Sequence, residues 1–228
     1  MTDAPEEAAV RRLEQEATIE YRHELVRKAI HLCSLSIPVV YSFIPKSFAL
    51  QLLAPVAFAF LVVDLARLYF PSFATHFYKF FGWLLRTKEQ TPSVKRLNGA
   101  TNVLLSACVC VLVFPKVITI TAFAVLIVSD STSALFGRRF GRRRFFGKSL
   151  EGSLAFLVSA MAVVIVTPKI AHDWREYAIG FVAAAVGAIV EAASTNIDDN
   201  ISIPLSIGAT MWAMYAVVLP TVDLYLIR

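Results

Sequence analysis

Charge is what this sequence has least of: only 17% of its 228 residues are Asp, Glu, Lys or Arg, against 57% hydrophobic residues and a mean hydropathy of +0.63. An ordinary soluble domain carries about 25% charged residues, so the deficit excludes that class and points to a chain that uses the bilayer as solvent. Cysteine is scarce as well. Cys33, Cys108 and Cys110 all fall inside apolar segments, which excludes a disulfide framework and a thiolate metal cluster and leaves them as small core residues. His23, His76 and His172 have no partner at ligand spacing. Internal repeats, low-complexity tracts and linkers are all missing, so the chain reads as one domain. Residues 1–28 lack the unbroken apolar core of a signal peptide and mix acids with bases, as a segment lying on the cytoplasmic membrane face would.

What is present is a series of apolar runs of the length that crosses about 30 Å of hydrocarbon. They lie near residues 29–45, 48–66, 99–115, 117–136, 152–168, 177–195 and 202–220. The fold expected is therefore all-α: a polytopic helical bundle of about seven spans over residues 29–228, with corners at Pro45 and Pro115 that suggest helical hairpins. With the N-terminus inside, seventeen of the 22 Lys and Arg residues fall on the cytoplasmic side, Arg11, Arg12, Arg22, Arg86 and Lys88 among them, which fixes the expected orientation. Between the second and third runs, Phe73, Phe77, Phe80, Phe81, Trp83 and Leu84 recur at helical spacing from Pro71 to Arg86. Such an aromatic helix belongs in the membrane interface, and a lipid entering beside it is the functional alternative to plain anchoring.

Ionisable groups at membrane depth cost several kcal/mol and persist mainly where they face a cavity. Here Arg27, Lys28 and His31 open the first run, Asn98 opens the third, Asp130 ends the fourth, Glu191 ends the sixth, and Asp198 and Asp199 follow it. All of these are expected at one, cytoplasmic, face. The segment from Ser129 to Ser153 adds Gly137, Gly141, Gly147 and Gly152 and six basic residues. Glycines there allow close backbone approach or positive φ, and their exposed N–H groups suit phosphate oxygens. Arg138, Arg142 and Lys148 suit a polyphosphate, and Asp130, Asp198 and Asp199 suit either its Mg²⁺ or the proton of an attacking hydroxyl. Arg139, Arg143 and Arg144 suit a topology signal and anionic lipid. Asp64 and Arg67 are one helical turn apart, which is sufficient for a structural ion pair. GRRRFFGKS imitates a Walker A loop, but it has five residues between its glycines and follows an apolar helix, so a P-loop fold is excluded.

Four patches together resemble the CTP-dependent lipid kinases, the group of dolichol kinase, phytol kinase and CTP-using diacylglycerol kinase, which is distantly similar to phosphatidate cytidylyltransferase. They are Arg27-Lys28-x-x-His31; Asn98-Gly99-x-Thr101; Asp130 through Ala134, Gly137 and Gly141 to Gly147-Lys148-Ser149-Leu150-Glu151-Gly152; and Glu191 with Asp198-Asp199-Asn200 before Ile203-Pro204-Leu205. The resemblance spans roughly residues 22–220. It implies transfer of the γ-phosphoryl group of CTP to a lipid alcohol such as diacylglycerol, a polyprenol or phytol, with Mg²⁺, the bilayer and nucleotide as partners and no nucleic acid. By it, Asp130, Gly137, Gly141, Lys148, Ser149, Glu151 and Gly152, with Asn98 and Thr101, belong to the nucleotide site. Arg27 and Lys28 become phosphate contacts beside Asp130, and Glu191 joins Asp198 and Asp199 as a metal candidate. Where some relatives carry two adjacent lysines and a threonine, this chain has Lys148 and Ser149, a departure that bears on the choice of nucleotide. Cytidylyl transfer to phosphatidic acid is the nearer alternative. A transporter using Asp130 and Glu191 is the more distant one, disfavoured because such proteins place polar residues at the bilayer midplane between repeated halves.

Overall fold

The computed structural model describes residues 25–85, 95–194 and 197–226. The expected surface segment lies outside them as far as residue 24, and so do Arg11, Arg12, Arg22, Arg86 and Lys88. The elements run α1 (residues 25–33), α2 (Ser36–Phe43), α3 (Lys46–Tyr69), α4 (Pro71–Phe81) with a 3₁₀ turn at Gly82–Leu84, α5 (Gly99–Val113) and α6 (Lys116–Phe140). A two-stranded hairpin, β1 (Arg144–Phe145) and β2 (Lys148–Ser149), then leads into α7 (Leu150–Val166), α8 (Trp174–Ala193) and α9 (Asp199–Val218). The chain is an α-helical protein of membrane type, and the hairpin is the one departure from all-α among the described residues. Helices α3, α6, α8 and α9 are long and apolar enough to cross a membrane, while α5 and α7 are apolar helices of 15 and 17 residues.

The first apolar run is not one helix. Pro38 has no N–H to offer the Ser34 carbonyl, which instead accepts Ile37 N at 2.9 Å, and the chain breaks at Ser34–Leu35 into α1 and α2. Pro45 and Pro115 do turn the chain as N-caps of α3 and α6. The helices on either side of Pro115 do meet, Thr119 Oγ1 donating to Cys110 O at 3.0 Å, but their main partners lie elsewhere: α5 packs against α3 and α9, and α6 against α7, α9 and α2. Helix α6 is the axis of the bundle, buried from Lys116 through Ile127. Small residues let its neighbours close in. A Cβ on Gly180 would sit 2.4 Å from Val164 Cγ1, and one on Gly208 would sit 2.4 Å from Phe114 Cε2, the close approach that holds helices together in lipid. By contrast α3 is only 17% buried and presents Phe58, Val62 and Leu65 outward, a face suited to acyl chains.

Candidate active site

Asp130, near the end of the axial helix α6, is 4% exposed and forms an ion pair with Lys28 of α1, 102 residues earlier and equally buried. The same ammonium lies 3.4 Å from the Asp130 carbonyl, and His31 Nε2 stands 3.7 Å from Oδ2. One helical turn beyond Asp130, Ser133 Oγ donates to Glu191 Oε1 of α8 at 2.8 Å. Glu191 Oε1 also receives Lys148 Nζ at 2.7 Å, and Lys148 reaches Asp199 Oδ2 of α9 at 2.8 Å. Burial alone would pull the Lys148 ammonium down, but Asp199, Glu191 and Asp130 outweigh it and hold its pKa above the ordinary lysine value. Two charge clusters thus sit on either side of one turn of α6: Lys28, His31 and Asp130, then Lys148, Glu191 and Asp199.

The hairpin delivers Lys148 to this place. Gly147 N donates to Ala192 O at 3.1 Å, docking the turn on the end of α8 next to Glu191. The glycines of the segment act by close approach. A Cβ on Gly137 would lie 2.9 Å from Ser149 Oγ, one on Gly141 2.8 Å from Ser149 Cβ, and one on Gly152 3.2 Å from Gly137 Cα. They seat the end of α6 on the start of α7 around Ser149, whose Oγ accepts Gly152 N at 3.1 Å as an N-cap. The phosphate cradle expected from their backbone is not what the segment forms. No glycine has positive φ; that conformation falls to Phe146, at φ 50°. Arg142 N and Arg143 N donate to Glu151 Oε2 at 3.0 and 3.3 Å, Gly141 N to Gly137 O and Leu150 N to Arg143 O. Those donors are spent inside the loop, which makes Glu151 its organiser. The side chains of Arg138, Arg139, Arg142, Arg143 and Arg144 remain exposed around the hairpin.

On the α1 side of Asp130 a cavity of about 510 Å³ opens. Lys28, His31, Asp130, Asn98 and Asn200 line its polar end; Phe60 and Val63 of α3, Phe77 and Phe81 of α4 and Val103 of α5 form its apolar wall. Asn98 therefore stands with the Asp130 cluster rather than with Lys148. It caps α5 through Thr101 N at 2.9 Å, and its own N–H donates to Asp64 Oδ2 at 2.6 Å. Thr101 is fully buried beneath it, its Oγ1 without a hydrogen-bond partner. Arg27 lines the same cavity.

Among the described residues no three His, Cys, Asp or Glu side chains gather as a ready metal site. Asp198 caps α9, its Oδ1 accepting Asn200 N and Nδ2 at 3.0 and 2.8 Å, and Asp130 is taken by Lys28. Glu191 and Asp199 do share a cation position, filled by the Lys148 ammonium, and Glu191 Oε2 is buried without a hydrogen-bond partner. Two carboxylates with a spare oxygen fit the oxygen-donor chemistry of a Mg²⁺.

Sequence reasoning passed over two features and understated a third. Ser133 lies at helical spacing from Asp130 and was findable from that. The apolar cavity wall carries no polar signal. The Asp64–Arg67 pair proves wholly buried, and it ties together more than α3: Arg67 donates to Tyr78 OH at 3.1 Å and to Arg96 O at 2.9 Å.

No family model and no solved structure matches this chain. It is 26% identical over 214 residues to CTP-dependent diacylglycerol kinase 1 of Saccharomyces cerevisiae, covering 81% of this chain and 71% of that protein. It is 30% identical over 195 residues to the uncharacterized protein RP860 of Rickettsia prowazekii, covering 83% of this chain and 93% of that one. At that identity and coverage, the chain belongs to the same family as the Rickettsia protein.

Proposed function

We propose that this chain is a CTP-dependent lipid kinase, transferring the γ-phosphoryl group of CTP to the hydroxyl of a membrane alcohol and yielding a lipid phosphate and CDP. The position of Asp130 carries the reading: an apolar cavity lies on one side of it, and a lysine between carboxylates, with exposed arginines beyond, lies on the other. The similarity to the yeast kinase supports the same chemistry. A lipid hydroxyl at the polar end of the cavity meets Asp130, which accepts its proton as the oxygen bonds to the γ-phosphorus. The bond from that phosphorus to the β-phosphate oxygen breaks and CDP leaves. Lys28 and His31 keep Asp130 oriented, and Lys28 and Arg27 offset charge on the moving phosphoryl oxygens. Lys148 and the arginines of the hairpin hold the polyphosphate. Glu191 and Asp199 would hold Mg²⁺, which would supply further charge neutralisation to the polyphosphate.

In this reading residues 29–228 form one catalytic bundle of seven crossings with the N-terminus and the site on the cytoplasmic side, where CTP is found, and residues 1–28 lie along that face. The test offers the purified protein CTP labelled at the α or the γ position together with diacylglycerol, a polyprenol or phytol. Label reaching a lipid from the γ position alone is the expected result. Label from the α position means cytidylyl transfer, and no transfer from either defeats the reading.

A further inference from the structure

The cavity beside Asp130 has a second property besides its polar end: its mouth is apolar. Ile30 of α1, Phe60 and Val63 of α3 and Phe81 of α4 line it and are 51, 44, 42 and 51% exposed. They belong to the side of the molecule where α3 turns its apolar surface outward, so the opening faces acyl chains, and a water-soluble acceptor would leave this wall wet at an unfavourable cost. An occupant must therefore have an apolar body and a single polar end that reaches Lys28, His31, Asp130 and Asn98.

The outer wall is also fastened. Arg67 bonds Tyr78 OH and lies over the rings of Phe77 and Tyr78 at 5.7 and 5.8 Å, while its partner Asp64 holds Asn98 N–H. One buried ion pair thereby fixes the aromatic helix on one side of the cavity and the Asn98 cap on the other. An aromatic helix serving as a membrane anchor alone has no need of an arginine at 2% exposure beneath it.

We infer that this cavity is the chain site of the acceptor lipid, entered sideways from the bilayer between α1 and the α3–α4 corner, with Phe60, Val63 and Phe81 setting which chains it admits. The inference rests on the lipid-kinase reading and gives that reading's acceptor a location and an approach.

The test uses full-length protein in phospholipid nanodiscs with two probes, a diacylglycerol and a polyprenol that each carry a diazirine in the chain. Val63→Trp and Ala59→Phe narrow the lumen from positions of α3 that line the cavity, away from every group that touches the reacting atoms. Photolabel is expected on α3 and α4 around Val63 and Phe81, falling about tenfold in Val63→Trp. In the phosphoryl-transfer assay both variants are expected to raise the lipid KM about tenfold, with kcat within about twofold and the CTP KM unchanged. Transfer that persists with wild-type lipid KM in both variants, while label maps elsewhere, overturns the inference and leaves the kinase reading standing. Label in the cavity without phosphoryl transfer upholds the lipid site and defeats the kinase reading instead.

Discussion

Lys28 and Asp130 are each 4% exposed and each is the other's nearest counterion, so their replacement separates chemistry from stability. Asp130→Asn keeps the shape and removes the carboxylate proposed as proton acceptor. Phosphoryl transfer should fall about 10²–10⁴-fold, with CTP binding retained by isothermal titration. Lys28→Met leaves Asp130 buried without its counterion and should cost about 3–5 kcal/mol of stability. Adding Asp130→Asn to it should recover part of the lost thermal midpoint in detergent; a further drop would mean that the pair is not mutually compensating. Lys148 carries a pH signature. Its pKa in the folded protein lies above the ordinary lysine value because Asp199, Glu191 and Asp130 outweigh burial. The stabilisation it brings is therefore complete below the ordinary value and is lost as pH rises through the raised one. The melting midpoint should hold through neutral and mildly alkaline pH and fall only beyond, and Lys148→Gln should abolish that alkaline fall.

The junction of α6 with α7 is where a motif that looks like nucleotide chemistry also packs two elements together. A Cβ on either Gly152 or Gly137 would meet Ser149 Oγ at 2.9 Å, but one on Gly152 would also crowd backbone, 3.1 Å from Ser133 O and 3.2 Å from Gly137 Cα, whereas for Gly137 the next atom, Gly152 Cα, is 3.5 Å away. Gly152→Ala should accordingly cost about 1–3 kcal/mol whatever its background. Gly137→Ala should be costly alone and close to neutral in a Ser149→Ala background, where the obstructing oxygen is gone and alanine's helix preference of about 1 kcal/mol takes effect. Thermal unfolding of the four proteins in this cycle gives the coupling directly. The helices themselves were legible, since apolar runs mark α3 and α5 to α9 to within a few residues. The break before α2 was not, because a proline three residues into a helix leaves no trace in hydropathy. Nor was the partnership of α6 with α7 and α9 over α5, which depends on the fit of side chains far apart in the sequence. Asp130 could be singled out by its cost in a membrane and Lys148 by its place in the glycine-punctuated basic segment, but the pairing of Asp130 with a lysine 102 residues earlier could not be read from spacing.

For the molecule as a whole, orientation is the property that joins site to cell. Phe146, at the hairpin tip, and His172, in the turn between α7 and α8, are both exposed and lie at opposite ends of α7. With cysteine placed singly at each in an otherwise cysteine-free protein, a membrane-impermeant maleimide should reach position 172 in right-side-out vesicles and position 146 only in inverted ones. The reverse pattern would put the hairpin outside, where CTP does not reach it. The buried charges also set an order on biosynthesis. Asp64 and Arg67 neutralise one another three residues apart, so α3 can leave the ribosome already self-compensated. Asp130 emerges to meet a lysine made 102 residues earlier, and α6 can settle as soon as it is complete. Lys148 must wait 43 residues for Glu191 and 51 for Asp199. During that interval only the more distant Asp130 attracts its charge, so the hairpin completes its docking on Glu191, Asp199 and Ala192 O after α8 and α9 are made. A nascent chain arrested before α8 would carry the Lys28–Asp130 pair and the α3–α4 wall of the cavity, while Asn200 at its polar end and both carboxylate partners of Lys148 had yet to exist.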